Sequence, residues 1–219
     1  MGRIFKMKTA VLLSGHTREA LSCWNSLRKN IIEPTNADVY MHSYHSDNIE
    51  DVIETIKPKK FILEDESSVV LDKNYNTEMP HYLSYITNPI ISVYMFRKIK
   101  LCYDLLEGNY DTVIKTRFDC KYTEEFPILD IDKYNIPNGG DFENGIFDMV
   151  CASSQENMKY YCSIYDEIEN YLDEGIPLHS ELLLKRHLES KIINRFEYTV
   201  VLRKVFDKPW VEDKIFTVK

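Results

Sequence analysis

The segment KTRFD, residues 115–119, has the residue types of a site that binds phosphate and a metal ion. Arg117 and Asp119 alternate on one face of a predicted strand end, with the apolar Phe118 between them. A carboxylate there can bind a hard divalent cation, and that cation can bridge the two phosphates of a nucleoside diphosphate. The arginine can add a fixed positive charge. A structural ion pair at the end of the strand explains the same spacing equally well.

A second candidate is the segment SGHTR, residues 14–18, which follows a short apolar run near the start of the chain. Gly15 lets the backbone turn close to a ligand, and the N-terminus of the helix predicted after it favours a phosphate group. Arg18 can bind the same phosphate through two hydrogen bonds. An ordinary strand-to-helix turn with a solvated arginine accounts for this spacing about as well.

Two further segments carry titratable side chains beside apolar runs. Asp148 interrupts the segment IFDMVCA, which otherwise has the pattern of a buried strand. Its charge must be paired or must face a cleft, and we expect the cleft. His179 and Glu181 lie just before a predicted helix, where an imidazole can complete a metal site and a carboxylate can act on a substrate. The alternative for His179 is a neighbour of the helix N-cap without a chemical role.

The elements around these residues predict an α/β fold. Strand, helix, strand, helix and strand follow one another over residues 1–65 with short connections. That order is typical of a Rossmann-like parallel sheet with right-handed crossovers. The three strands are predicted over 8–14, 37–43 and 60–64. Because ligands bind at the carboxyl ends of parallel strands, SGHTR should lie at a ligand-binding edge.

The remaining elements are expected to complete the same domain, so that all 219 residues form one unit with a mostly parallel central sheet flanked by helices. The predicted elements are a helix over 89–106, strands over 110–119 and 146–152, a helix bearing residues 158–172, a helix over 179–190 and a strand over 196–203.

Composition and charge favour a folded, enzyme-sized chain. The sequence is 44% hydrophobic and 28% charged, and its net charge of −8 argues against sequence-independent binding of nucleic acid. The longest uncharged apolar run, residues 89–96, is far shorter than the ~20 residues that span a bilayer. Five cysteines without a C-x-x-C pair indicate neither a disulfide framework nor a zinc site, so we expect a cytoplasmic location.

Taken in order, these segments resemble the GT-A-fold glycosyltransferases of surface-polysaccharide synthesis, which are found in bacteria and in large DNA viruses. The resemblance spans most of the chain and rests on AVLLSGHTR and ADVYMHSY near the start, YDTVIKTRFD in the middle, IFDMVCASSQENMKYY after it and PLHSELLLKRHL near the end. It implies a nucleotide-binding part over residues 1–65 and a metal- and acceptor-binding part over residues 89–203.

The resemblance also implies roles for individual residues. The nucleotide-sugar donor would contact Ser14, Gly15, His16, Arg18, Arg117 and Asp119. Asp119 and His179 would hold Mn²⁺ or Mg²⁺. From the residues themselves, Asp148 or Glu181 would be the catalytic base acting on the acceptor if the reaction inverts. The usual acidic motif of the family is D-x-D, whereas Arg117 stands at its first position here.

Three functions stay open from the sequence alone. The first is transfer of a sugar from a nucleotide donor to a glycan or lipid-linked acceptor, with Asp119 and a metal stabilising the departing diphosphate. The second is a non-catalytic module that kept the fold and lost the metal site, as the missing first aspartate allows. The third is a methyltransferase or other Rossmann-like nucleotide enzyme, against which the lack of a G-x-G-x-x-G segment counts only mildly.

Overall fold

Strands and helices alternate along most of the chain in the computed structural model, which describes residues 7–66, 70–71, 73–75, 88–127, 129–202 and 214–216. The strands are β1 (Thr9–Ser14), β2 (Asp38–Tyr44), β3 (Lys60–Glu64), β4 (Thr112–Thr116), β5 (Cys120–Tyr122), β6 (Tyr134–Pro137), β7 (Cys151–Ser153), β8 (Ile193–Phe196), β9 (Val200–Leu202) and β10 (Lys214–Phe216). The α-helices are α1 (Ala20–Leu27), α2 (Glu33–Thr35), α3 (Ile49–Ile56), α4 (Ile91–Tyr103), α5 (Gln155–Cys162), α6 (Ile164–Asp173) and α7 (Ser180–His187), and a π-helical turn, Arg28–Ile32, joins α1 to α2.

Seven of these strands form one central sheet in the order β3-β2-β1-β4-β7-β6-β8. The strands β3, β2, β1 and β4 are parallel, β7 is antiparallel to both of its neighbours, and β6 is parallel to β8. A second, antiparallel sheet has the order β10-β9-β5. The predicted α/β fold, with a mostly parallel central sheet flanked by helices, is confirmed.

The central strands are buried along their whole length. Every residue of β1 and β4 is buried, as are all but the first of β2. Strands covered on both faces need apolar side chains on both, which is why KTAVLLS has no polar alternation. Helix α4 packs against β1 and β2 and contributes Val93, Phe96 and Ile99 to the core. Within the described ranges, every helix is too short or too polar to cross a membrane.

Two of the differences between predicted and observed strand boundaries change the surroundings of a candidate residue. The strand predicted over 110–119 ends at Thr116, so Arg117 and Asp119 lie in the turn that leads to β5. The strand predicted over 146–152 begins only at Cys151, so Asp148 lies in the loop before it. Residues 145–150 are nonetheless all buried, and the apolar pattern there reflects a buried loop.

Candidate functional site

A cavity of about 540 Å³ lies at the carboxyl ends of β1, β2 and β4, with α4 along one side. We call it the strand-end cavity. Its lining residues come from β1 and the following turn (Ser14, Gly15, His16, Arg18 and Glu19), from the ends of β2 and β3 (Tyr44 and Glu66), from α4 and the residues before it (Asn88, Ile91, Tyr94, Met95 and Lys98), and from β4 and the following turn (Lys115, Arg117, Phe118 and Asp119). A more open groove of about 600 Å³ adjoins it at Asn88 and Tyr94.

The strand-end cavity brings together all six residues that the resemblance assigns to donor binding. The end of β1 and the end of β4 are neighbours because the two strands pair in parallel, from Thr9 beside Thr112 to Leu13 beside Thr116. Two segments about a hundred residues apart in sequence therefore meet at one edge of the sheet. Their binding roles stay predictions.

Hydrogen bonds to β2 hold the turn after β1 in a defined conformation. The amide of Gly15 donates to the carbonyl of His42 at 3.2 Å, and the hydroxyl of Ser43 donates to the carbonyl of Gly15 at 2.7 Å. Gly15 has a φ of 127°, which residues with a side chain rarely adopt. The glycine is thus required by the backbone path at the wall of the cavity.

Arg117 and Asp119 form a two-pronged ion pair in the cavity wall. The guanidinium donates from Nε to one carboxylate oxygen at 2.8 Å and from Nη2 to the other at 2.7 Å. Burial alone would lower the pKa of Arg117, but the contacts with Asp119 raise it above its ordinary value. The ion pair that the spacing left open is therefore present, and both members line the cavity.

The residues predicted to bind Mn²⁺ or Mg²⁺ do not form a ready cation site. Both oxygens of Asp119 already accept hydrogen bonds from Arg117, and His179 does not line the strand-end cavity. Across the part of the chain that the structure describes, no three His, Cys, Asp or Glu side chains are grouped to hold a metal ion. Of the two residues predicted to bind the cation, only Asp119 lines the cavity, and a guanidinium already occupies its carboxylate.

Two lysines that the sequence interpretation did not single out also line the cavity. Lys115 is fully buried in β4, and its Nζ donates to the main-chain carbonyl of Asp148. Burial lowers its pKa, and the Asp148 carboxylate partly opposes that effect. A lone lysine in the apolar strand TVIKT was a signal of the same kind as Asp148, because an isolated charge in a buried strand needs a partner or a use.

Lys98 is the second of these lysines, and it lies on the inner face of α4. Only 6% of the residue is exposed, and its Nζ lies 4.1 Å from the centre of the Tyr44 ring. Burial lowers its pKa to about 8; Glu66 opposes this shift, and Arg117 and Arg18 add to it. Among the described residues its Nζ has neither a hydrogen bond nor an ion pair. The mid-helix lysine is typical of an exposed residue in sequence, and only packing shows that it is buried.

A group of titratable side chains lies behind the β4 wall of the cavity, and we call it the acidic cluster. It consists of Asp141, Asp148, His179 and Glu181. Asp148 is 5% exposed and does not line the cavity, contrary to the expectation that it faces the cleft. Its loop folds inward, and the Asp148 carbonyl accepts from Lys115. The cluster and the cavity therefore share one wall.

Close packing of the loop before β7 on α7 keeps Glu181 away from water. A methyl group at Gly145 would lie 2.6 Å from Cβ of Glu181, and the amide of Ile146 donates to the Glu181 carbonyl at 3.0 Å. Burial raises the pKa of the Glu181 carboxyl to about 8, with further contributions from the negative charges of Asp148 and Asp141. Glu181 therefore holds a proton in much of its population at neutral pH.

His179 belongs to this cluster. Its ring stacks on Phe142 at 4.4 Å between centroids, and Nδ1 lies 3.1 Å from a Glu181 oxygen without hydrogen-bond geometry. Burial lowers the pKa of His179 although Asp148 opposes this shift. The structure thus brings together Asp148, His179 and Glu181, three of the four residues predicted for catalysis and metal binding, and separates them from the cavity, which the fourth, Asp119, lines.

Comparison with protein-family models finds no family that matches this chain, and comparison with curated proteins finds no match either.

Proposed function

We propose that this chain is a glycosyltransferase that moves a sugar from a nucleoside diphosphate sugar to a glycan or lipid-linked acceptor, and that the strand-end cavity binds the donor. One observation carries the proposal. The SGHTR turn and the KTRFD segment, selected independently in the sequence, line one cavity of about 540 Å³. A volume of that size is within the usual range of small-molecule sites, about 300–1,000 Å³.

The charges of the cavity suit the diphosphate of such a donor. Four of its lining residues are basic, Arg18, Lys98, Lys115 and Arg117, and three carry carboxylates, Glu19, Glu66 and Asp119, although the whole chain has a net charge of −8. The Nζ of Lys115 donates to the Asp148 carbonyl, so Arg18, Lys98 and Arg117 are the cations nearest a ligand. As the bond between the sugar and the diphosphate breaks, negative charge develops on the leaving phosphate. Fixed positive groups already aimed at that charge lower the barrier most effectively.

Helix α4 offers a different surface to the rest of the donor. Ile91, Tyr94 and Met95 line the cavity from the first turns of α4, and Lys98 follows one turn later. A ring system can pack against the apolar stretch while its phosphates reach the lysine. This division of the wall supports a ligand with an aromatic base at one end and a diphosphate at the other.

The acidic cluster supplies the residue that handles the acceptor proton. A base works best when its pKa lies near the pH of the reaction, and the pKa of Glu181 is raised to about 8. Asp148 lies beside it and is joined to the cavity wall through Lys115. In this proposal the acceptor binds next to the wall that the acidic cluster shares with the cavity, and Glu181 or Asp148 accepts the proton of its hydroxyl. The reaction takes place in the cytoplasm, which the five free, buried cysteines suit.

A screen of donors by thermal unfolding tests the proposal. UDP-glucose, UDP-galactose, GDP-mannose and dTDP-rhamnose are each added with Mn²⁺ or with EDTA, and S-adenosylmethionine serves as the comparison ligand. At ~100 times its dissociation constant, a true donor adds about 2.7 kcal/mol to the free energy of unfolding. For a chain of this size that raises the melting temperature by roughly 5–10 °C. No shift with any sugar donor, or a shift with S-adenosylmethionine alone, contradicts the proposal.

A non-catalytic binding module is the second candidate, and the ion pair of Arg117 with Asp119 favours it because the pair occupies the acidic motif. Donor hydrolysis or sugar transfer separates the two functions. Activity that is lost in Asp119→Asn and retained in His45→Ala supports the enzyme, since the exposed His45 does not line the cavity. Donor binding without turnover under all conditions supports the module.

A further inference from the structure

Lys98 is a buried cation whose charge faces open space in the cavity. It has no carboxylate partner in the described part of the chain, and the ring face of Tyr44, 4.1 Å from its Nζ, gives it a cation–π contact but no counter-charge. The positive charges of Arg117 and Arg18 lie near enough to disfavour the charged form further. A buried charge without a counter-charge is costly, and an anionic ligand would supply that counter-charge.

Asp119, by contrast, has a partner for each of its oxygens. Arg117 binds both of them, and a divalent cation would have to displace a two-pronged guanidinium before it reached the carboxylate. An anion meets no such competitor at Lys98. The cavity is therefore arranged to receive negative charge directly.

We propose that Lys98, together with Lys115 and Arg117, takes the place of a divalent metal, so that the diphosphate of the ligand is bound and stabilised by fixed side-chain cations. The proposal rests on the strand-end cavity being the donor site. It makes Lys98 the direct phosphate ligand. Arg117 contributes while it remains paired with Asp119, and Lys115 contributes without contact, because its buried Nζ donates to the Asp148 carbonyl.

The charge state of Lys98 gives this proposal a pH signature. With a pKa of about 8, Lys98 is mostly charged at pH 7 and mostly neutral at pH 9. An anion binds the charged form, so affinity should fall as the pH rises from 7 through 8 to 9. The charged and titratable groups around Lys98 are His16, Arg18, His42, Tyr44, Glu64, Glu66 and Arg117.

Calorimetric titration with UDP and with GDP, in EDTA and then in Mn²⁺, tests the proposal. The dissociation constant of the better nucleotide should agree within about threefold between the two conditions. In EDTA, Lys98→Gln should weaken binding at least tenfold, because a charge-assisted contact to phosphate is lost. Lys98→Arg should restore it to within about threefold. Lys100→Gln is the matched control, because Lys100 lies on the same helix but pairs with Asp166.

The pH series separates a binding role from a structural one. In a Glu181→Gln background, which removes the nearby carboxyl with a pKa of about 8, affinity should fall between pH 8 and pH 9.5. With Lys98→Arg added, affinity should stay constant, because arginine keeps its charge. A requirement for Mn²⁺, or wild-type affinity in Lys98→Gln, overturns this inference and leaves the proposed function standing. If neither nucleotide nor any sugar donor binds with or without Mn²⁺, the proposed function fails as well.

Discussion

The strand-end cavity and the acidic cluster lie on two sides of the same strand end and treat buried charge in opposite ways. The cavity leaves Lys98 facing open space, and burial lowers the pKa of Lys98 to about 8. The cluster holds the Glu181 carboxyl near the negative charges of Asp148 and Asp141, and burial together with those charges raises its pKa to about 8. One region thus has a buried cation that can pair with an anion, as we propose, and the other has a carboxyl that keeps its proton near neutral pH. Both arrangements cost stability, which is typical of sites under functional constraint.

The strongest test of the difference between the two regions removes the titratable carboxyl of Glu181 from the acidic cluster. In Glu181→Gln we expect kcat for sugar transfer to fall about 100-fold or more, since a positioned base contributes roughly 10²–10⁴. Nucleotide affinity should change little, because Glu181 does not line the cavity. Steady-state kinetics and calorimetry measure the two quantities. Asp148→Asn is the companion variant, and undiminished kcat in both would remove the acidic cluster from the mechanism.

Lys98→Met should separate stability from binding. The folded-state pKa of Lys98, about 8, lies below its unfolded value, so the unfolded chain binds more protons between those two values. The cost of the buried charge is therefore complete below pH 8 and disappears as the pH rises towards 10.5. At pH 7 the variant should gain roughly 2–3 kcal/mol in the free energy of unfolding while it loses nucleotide affinity.

Urea unfolding of the wild type and Lys98→Met, at pH 7 and again near pH 10, measures this gain. The difference between the two proteins should shrink at the higher pH. A variant that is less stable than the wild type at pH 7 would mean that Lys98 has a structural role, and the contrast between the two regions would lose its basis.

Close packing at Gly145 excludes water from the acidic cluster, and a substitution there tests it. Its α-carbon approaches Glu181 so closely that a methyl group would lie 2.6 Å from the Glu181 Cβ and 2.7 Å from its main-chain carbon. Gly145→Ala should destabilise the fold by about 1–3 kcal/mol, because the loop must move away from α7. Chemical unfolding measures the loss. Gly175→Ala is the comparison, since nothing lies within 4 Å there and only its φ of 85° causes strain. Equal stability of Gly145→Ala and the wild type would show that the loop moves away from α7 without loss of stability, contrary to this prediction.

The smallest expected effect concerns the ion pair in the cavity wall. Arg117→Lys keeps the charge but loses the two parallel hydrogen bonds to Asp119. For this partly exposed pair we expect a loss of about 1 kcal/mol or less in the free energy of unfolding. Nucleotide affinity should fall only a few fold. A loss as large as that of Lys98→Gln would make Arg117 the leading phosphate ligand.

The first three strands were predictable because their sequences carry the pattern that their environment requires. β1, β2 and β3 were predicted within one residue of their observed bounds. They are apolar runs bounded by turn residues such as Gly15 and Pro58. The short strands β5 and β6 were not predicted, because CKY and YNIP are too short to show a period and form through pairing with distant strands.

The candidate site was predictable only where chain order implies position. The carboxyl ends of β1 and β4 meet by the geometry of parallel strands, so the SGHTR and KTRFD segments could be assigned to one edge from sequence. Lys98 could not, because a single lysine on a helix shows no sign of which neighbours will bury it. Asp148 was assigned to a strand and to the cleft because its apolar neighbours imitate a strand, whereas the loop is buried against α7.

The sequence by itself determined the α/β class, the order of the first elements and the two segments at the edge of the sheet, because these depend on local pattern and on rules of strand connection. The tertiary structure alone decided which charges have partners. Contacts between residues far apart in the chain decide two points. They decide whether the Asp119 carboxylate pairs with Arg117 or stays free for a ligand, and whether the Lys98 ammonium lies next to a carboxylate or faces the open cavity. Those contacts set the pKa values of the lining residues and the charge that the cavity presents to a ligand, and therefore its chemistry.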